Sequence, residues 1–259
     1  MTGLLASVMT VGEAEAALAG GADIIDLKDP RSGALGALPA PIIRDCVTAI
    51  AGQRPVSATV GDLPMQPDIL VAAAERIAAL GIDFVKVGLF PGGDLDGCLA
   101  RLSRLAAKGT RLVAVMFADQ EPDLATLPRL DDYGFAGAML DTADKGSGGL
   151  RAHLAEPVLR DFAEQSRALG LLTGLAGSLG CNDISALLPL RPDYLGFRGA
   201  LTLAGRTAGL DPQALVAVRA AIPRAPYRAA SKATATAGAQ HAAHSLAVSE
   251  PSTSIAKST

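Results

Sequence analysis

A closed barrel of eight parallel strands, each followed by a helix, is the fold class that this sequence predicts. Three observations lead there. Short apolar, strand-like runs alternate with helical stretches through residues 1–222, a pattern that builds a parallel sheet. The alternation occurs eight times, the number that closes a (β/α)8 ring. The rival, a doubly wound open sheet, lacks its marker, since no Gly-x-Gly-x-x-Gly follows the first strand.

The elements follow in order. Leu4–Val8 is an apolar strand, and Val11–Ala19 is a helix of Glu and Ala stopped by Gly20-Gly21. Ala22–Lys28 is the second strand, with Pro30 and Gly33 breaking it into a loop. Pro39–Ala51 reads as a helix that tolerates Pro41 in its first turn. Val56–Val60 is a strand, Asp68–Leu80 an Ala-rich helix closed by Gly81, and Phe84–Gly88 a strand. Helix Leu95–Lys108, strand Arg111–Phe117, helix Asp123–Asp132 and strand Gly137–Asp141 come next. Helix Glu156–Leu169, strand Leu172–Ala176, helix Asn182–Leu188 with Asn182 as N-cap, and strand Tyr194–Phe197 follow. Asp211–Ala221 is the last helix, with Asp211 as cap and Pro212 in its first turn. From Pro223 onward the chain turns to Ala, Ser and Thr without apolar periodicity, which predicts a disordered tail over 223–259.

Composition narrows the function. The chain has 259 residues, 49% of them hydrophobic, enough for one large core. Aromatics are 3%, Trp is absent and the net charge is −3, which excludes a base-stacking or phosphate-backbone nucleic-acid binder. Cys46, Cys98 and Cys181 show no paired spacing, so neither a disulfide framework nor a zinc site is expected, and the setting is read as reducing and cytoplasmic. No apolar run reaches membrane-spanning length, and no signal peptide is read at the N-terminus. His153 is read as a surface loop residue, and His241 and His244 fall in the tail. Acid–base work therefore falls to lysines and carboxylates.

Those residues occur in a pattern. Side chains alternate faces along a strand, so Asp26 and Lys28 share the face opposite Ile25 and Leu27. Unpaired burial is costly, so each is expected to pair with the other or with a ligand. Lys86 sits inside the apolar run Phe84–Gly88, Asp141 ends the sixth strand, and Lys145 lies just beyond it. In a barrel of this class the strand ends converge at the C-terminal face. A lysine attacks a carbonyl only as the neutral amine, and a neighbouring cation or a desolvated pocket lowers its pKa from ~10.4. Lysines crowded together supply that cation, and the aspartates move protons. The reaction class is carbon–carbon bond formation or cleavage at a carbonyl through a Schiff base. Loops seven and eight, Gly177-Ser178 and Arg198-Gly199, are expected to cradle phosphate on free backbone N–H groups, with Arg198 adding charge. Asp119 and Glu121 are read as solvated, and Cys181 as structural.

The set Asp26-Leu27-Lys28-Asp29-Pro30, Gly33-Ala34-Leu35-Gly36, Phe84–Gly88, Leu140-Asp141-Thr142 with Lys145, and Gly174–Leu179 resembles (5-formylfuran-3-yl)methyl phosphate synthases, from residue 2 to about 222. The resemblance implies a TIM barrel related to class I aldolases, without metal or cofactor. It implies condensation of two glyceraldehyde 3-phosphate molecules, with loss of phosphate and water, in methanofuran or methylofuran biosynthesis. It makes Lys28 the Schiff-base lysine and Lys86 the proton-transferring lysine, with Asp26, Asp141 and Lys145 in support. The partners expected are the small-molecule substrate and further copies of the same chain, with no nucleic acid and no membrane. The alternatives are another Schiff-base aldolase acting on a phosphorylated sugar, and a non-catalytic phosphate-binding barrel.

Overall fold

The computed structural model describes residues 2–223. Eight strands, β1 Gly3–Val8, β2 Ile24–Leu27, β3 Val56–Thr59, β4 Phe84–Gly88, β5 Leu112–Phe117, β6 Gly137–Asp141, β7 Leu172–Leu175 and β8 Tyr194–Phe197, pair in parallel in chain order, and β8 closes on β1. The helices are α1 Val11–Ala19, α2 Ala40–Ile50, α3 Pro67–Ala78, α4 Leu95–Ala107, α5 Thr126–Asp132, α6 Leu150–His153, α7 Glu156–Ala168, α8 Cys181–Leu187 and α9 Pro212–Ala221. The barrel and each of its eight predicted strand–helix units are thus present. The differences are local. His153 ends the short helix α6 rather than sitting in a loop. Helix α8 starts at Cys181, and its cap is Gly180, whose N–H donates to Asp183, so Asn182 is not the N-cap. The tail expected over 223–259 lies outside the described residues, Pro223 excepted.

Strand alternation divides the barrel into two apolar layers. Leu4, Ala6, Val8, Ile25, Leu27, Val85 and Val87 face outward and pack with Ile43, Leu70, Leu102 and Phe162 of the helices. Leu5, Ile24, Phe84, Val113, Met139, Leu172 and Tyr194 face inward and floor the barrel. Burying each large side chain contributes roughly 1.5–3 kcal/mol, so the larger outer layer carries most of the stability. Gly174 makes room for the inner layer: a Cβ there would sit 2.3 Å from the Tyr194 ring.

The lower rim repeats one device. Asp23, Asp83 and Asp193 each stand just before a strand. Each accepts the N–H of a residue at the foot of the preceding strand (Leu4, Val56 and Thr173, at 2.7–2.8 Å) and returns its own N–H to the same region. These clasps join β1 to β2, β3 to β4 and β7 to β8. The corresponding position before β6 is Ala136, which donates its N–H to Leu112 but has no carboxylate to offer. Arg219 of α9 adds an ion pair to Asp23 at 2.5 Å.

Candidate active site

Above the apolar floor the inward positions turn polar. Ile24, Asp26 and Lys28 share the inner face, as alternation requires. Ser7, Asp26 and Ser57 lie side by side in the register of β1, β2 and β3. Both hydroxyls donate to Asp26, at 2.8 and 2.6 Å. The cation that completes its shell is Lys86, whose Nζ is 3.1 Å from Asp26 Oδ1. Lys28 turns instead to Asp141, at 3.7 Å, and Lys145 reaches the other oxygen of Asp141 at 2.5 Å while also donating to the Thr142 carbonyl. Asp26 and Lys28 are therefore not each other's partner. Their partners stand on strands that are not neighbours of β2, on β4 for Asp26 and on β6 for Lys28, and are reached through the barrel interior.

Burial and charge oppose each other throughout this cluster. Burial opposes ionisation of Asp26, yet Lys86, Lys28 and the two serines together hold it below the ordinary carboxylate range. Burial likewise weighs against Asp141, but Lys145 and Lys28 bring its pKa down to about 2. Desolvation pushes the Lys86 amine below the usual lysine value, with Asp26 resisting and Lys28 reinforcing the fall. Lys145 is lowered for the same first reason, against the pull of Asp141. Both carboxylates thus stay charged at neutral pH while two buried amines are eased toward the free base.

The loops that carry these groups are fixed from neighbouring loops. Asp62, after β3, accepts the N–H groups of Ala34 and Leu35 in the loop that follows Lys28. Asp119, after β5, accepts those of Ala143 and Asp144 in the loop that carries Lys145. Asp119 is therefore a loop anchor rather than a solvated carboxylate.

Lys28, Lys86, Asp141 and Lys145 border one cavity of about 390 Å³, walled on the other side by Gly177, Ser178 and Gly199. Asp26 lies beneath it, fully buried. Gly177 (φ +106°) and Ser178 (φ +48°) both have left-handed backbone. The N–H groups of Gly177, Ser178, Leu179, Gly199 and Ala200 have no hydrogen-bond partner among the described residues, and all five residues border the cavity. Arg198 departs from expectation. Its guanidinium makes an ion pair with buried Glu13, at 2.7 and 3.2 Å, and donates to the carbonyls of Ser7, Arg206 and Ala208. With its five N–H groups engaged, Arg198 offers the cavity no donor for phosphate.

A model of the 4-HFC-P synthase family matches residues 4–219. The chain belongs to the 4-HFC-P synthase family. A Methylorubrum extorquens protein provisionally named (5-formylfuran-3-yl)methyl phosphate synthase is 44% identical over 227 residues, covering 86% of this chain and 93% of the relative. The synthase of that name from Methanococcus aeolicus is 37% identical over 208 residues, covering 76% and 88%. Among solved structures, phosphoribosyl anthranilate isomerase from Thermus thermophilus superposes with a TM-score of 0.61 at 17% identity, over 85% of this chain and 98% of that one. A 3-hexulose-6-phosphate synthase gives 0.59 at 19%, over 86% and 100%. At those identities the likeness is one of fold.

In this 4-HFC-P synthase family chain, four residues near the cavity escaped the sequence reading. Ser7 and Ser57 look like ordinary strand serines, and only the register of β1–β3 sets both against Asp26. Glu13 reads as a helix former. Arg206 lies in a loop without a motif.

The buried Asp26–Lys86 pair allows a stability test. Breaking such a pair from one side leaves an uncompensated charge and costs about 3–5 kcal/mol, whereas removing both members is near neutral. Lys86→Met is expected to lose stability on that scale in urea unfolding, and Asp26→Asn/Lys86→Met to regain most of it. Independent, additive losses would show that the two do not act as a pair.

Proposed function

We propose that this chain is a (5-formylfuran-3-yl)methyl phosphate synthase. It would condense two molecules of glyceraldehyde 3-phosphate through a lysine Schiff base, with loss of phosphate and water, in the formation of a methanofuran-type cofactor. The observation that carries the reading is the convergence of Lys28, Lys86 and Lys145 on one cavity with Asp141 between two of them. Membership of a family whose relatives bear that synthase name supports it.

In this reading Lys28, at the mouth of β2, attacks the carbonyl of one triose phosphate and expels water as the imine forms. Lys86, buried against Asp26, takes the proton from the adjacent carbon to give the enamine. The enamine carbon attacks the aldehyde of the second molecule. Lys145 and Asp141 hold and return the proton at the new oxygen. Elimination of phosphate and ring closure with loss of water give the aromatic furan and free Lys28. Phosphate would rest on the unpartnered N–H groups of Gly177, Ser178 and Gly199, where backbone donors suit an anion. The role expected of Arg198 passes to shaping that wall, since its own donors are taken.

Incubation of the full chain with glyceraldehyde 3-phosphate alone tests this. The expected product absorbs in the near ultraviolet, and borohydride traps a protein adduct seen by mass spectrometry. An adduct with a non-absorbing aldol product would favour another Schiff-base aldolase. If neither adduct nor product forms, catalysis of this kind is refuted.

The pH profile gives a second check. Asp26 raises the Lys86 amine toward the charged form. Asp26→Asn removes that pull, so Lys86 becomes neutral at lower pH. If Lys86 is the base, kcat/KM rises with pH as it deprotonates, and the acid limb of Asp26→Asn is displaced to lower pH. A limb that stays in place or moves upward takes Lys86 out of that role.

A further inference from the structure

Five cationic side chains border the cavity. Four have a carboxylate: Lys28 and Lys145 share Asp141, Lys86 has Asp26, and Arg198 has Glu13. Arg206 has none within ion-pair distance among the described residues, and Asp141, Asp62 and Asp29 act on its charge only from farther off. It projects from the loop between β8 and α9, and its one hydrogen bond there runs from Nη2 to the Gly33 carbonyl at 2.9 Å, in the loop after β2. Its remaining guanidinium N–H groups have no acceptor among the described residues. The side chain spans from loop eight to loop two, on the side of the cavity where Lys28 stands.

Its placement is built rather than incidental. Arg198 donates from Nε to the carbonyl of Arg206 itself and from Nη2 to that of Ala208. Glu13 holds Arg198 and also accepts the N–H of Leu210 at the far end of the same loop. A bridge between Thr202 and Leu210 closes the loop at its base. A buried ion pair thus fixes the segment that presents the one bordering guanidinium with no carboxylate in direct contact among the described residues.

The geometry points to Arg206 as the ligand of a second phosphate, distinct from the backbone cradle of loops seven and eight. A half-buried guanidinium with free N–H groups and no carboxylate in direct contact can take an anion, and its planar fork suits a phosphate monoester. This inference rests on the proposed reaction, in which two phosphorylated trioses must be held together. The cradle takes the phosphate of one, and Arg206 that of the other.

The test uses the full chain as wild type, Arg206→Met and Arg206→Lys. Charge-assisted hydrogen bonds of this kind are worth about ten- to a hundredfold in binding. The half-saturating concentration of glyceraldehyde 3-phosphate for furan formation is expected to rise by that factor in Arg206→Met, and by less in Arg206→Lys. The yield of borohydride-trapped imine at saturating substrate stays unchanged. A half-saturation within twofold of wild type overturns the proposal. So does an imine yield that falls in step with the rate, the signature of a collapsed loop. Calorimetric titration with inorganic phosphate adds an arm independent of the reaction: two equivalents per wild-type chain and one per Arg206→Met chain are expected, and equal counts overturn the assignment. If the wild type forms neither imine nor furan, the proposed reaction fails, while the phosphate count still decides the role of Arg206.

Discussion

Lys28→Ala is expected to abolish both furan formation and adduct trapping, lowering kcat by on the order of 10⁴-fold or more, as loss of a covalent nucleophile does. The reason lies in the geometry. Lys28 directly follows β2, borders the cavity and is held loosely, 3.7 Å from Asp141. The stronger contact of Asp141 is with Lys145. Lys28 is therefore oriented without being locked, as an amine that must swing onto a carbonyl requires. Its loss leaves Asp141 with Lys145 as counter-ion, so the fold should be little affected, and urea unfolding near that of wild type is part of the expected result. An adduct undiminished in Lys28→Ala would place the nucleophile on another lysine.

Lys86→Met is expected to give the opposite pattern: turnover down by roughly 10²–10⁴-fold, the range of a general base, with the trapped adduct retained or increased. Lys86 is almost fully buried against Asp26, and its ammonium is disfavoured by burial. That combination suits a group that takes and returns a proton without leaving its place. If it serves only the steps after the imine, its removal stalls the enzyme with substrate attached to Lys28. Rapid-quench borohydride trapping followed by peptide mapping distinguishes the two lysines directly. Loss of the adduct in Lys86→Met, with its survival in Lys28→Ala, would exchange their roles.

The barrel was legible because its strands are short apolar runs, most of them closed by Gly, Pro or Asp, and the helices between them carry their own stops. The lysines of the cavity were legible for the same reason: a charge inside Phe84–Gly88 or just past β2 has no place in an apolar run unless the barrel gives it one. What the linear order concealed was partnership. Asp26 and Lys28 are neighbours in sequence, but each takes its partner through the barrel interior, from β2 to β4 and from β2 to β6. The pairs therefore depend on barrel closure, which no local pattern encodes. Arg198 misled for a related reason. Its position beside Gly199 resembles a phosphate ligand, but Glu13, far away in sequence, takes its charge. Arg206, in an unremarkable loop, is brought to the cavity by that same ion pair.

The aspartate clasps on the lower rim have a consequence for how the barrel is put together. They tie the strands in twos, first with second, third with fourth, seventh with eighth. Fifth and sixth lack this stitch beneath and are bound above instead, where Asp119 grips the loop beyond β6. The molecule can thus be regarded as four βαβα modules, three hemmed at the end remote from the cavity and one hemmed beside it. Only in that third quarter is the carboxylate that fastens the two strands of a module also the one that sets the position of a lysine at the mouth, so there holding the ring and placing a charge in the cavity fall on the same side chain.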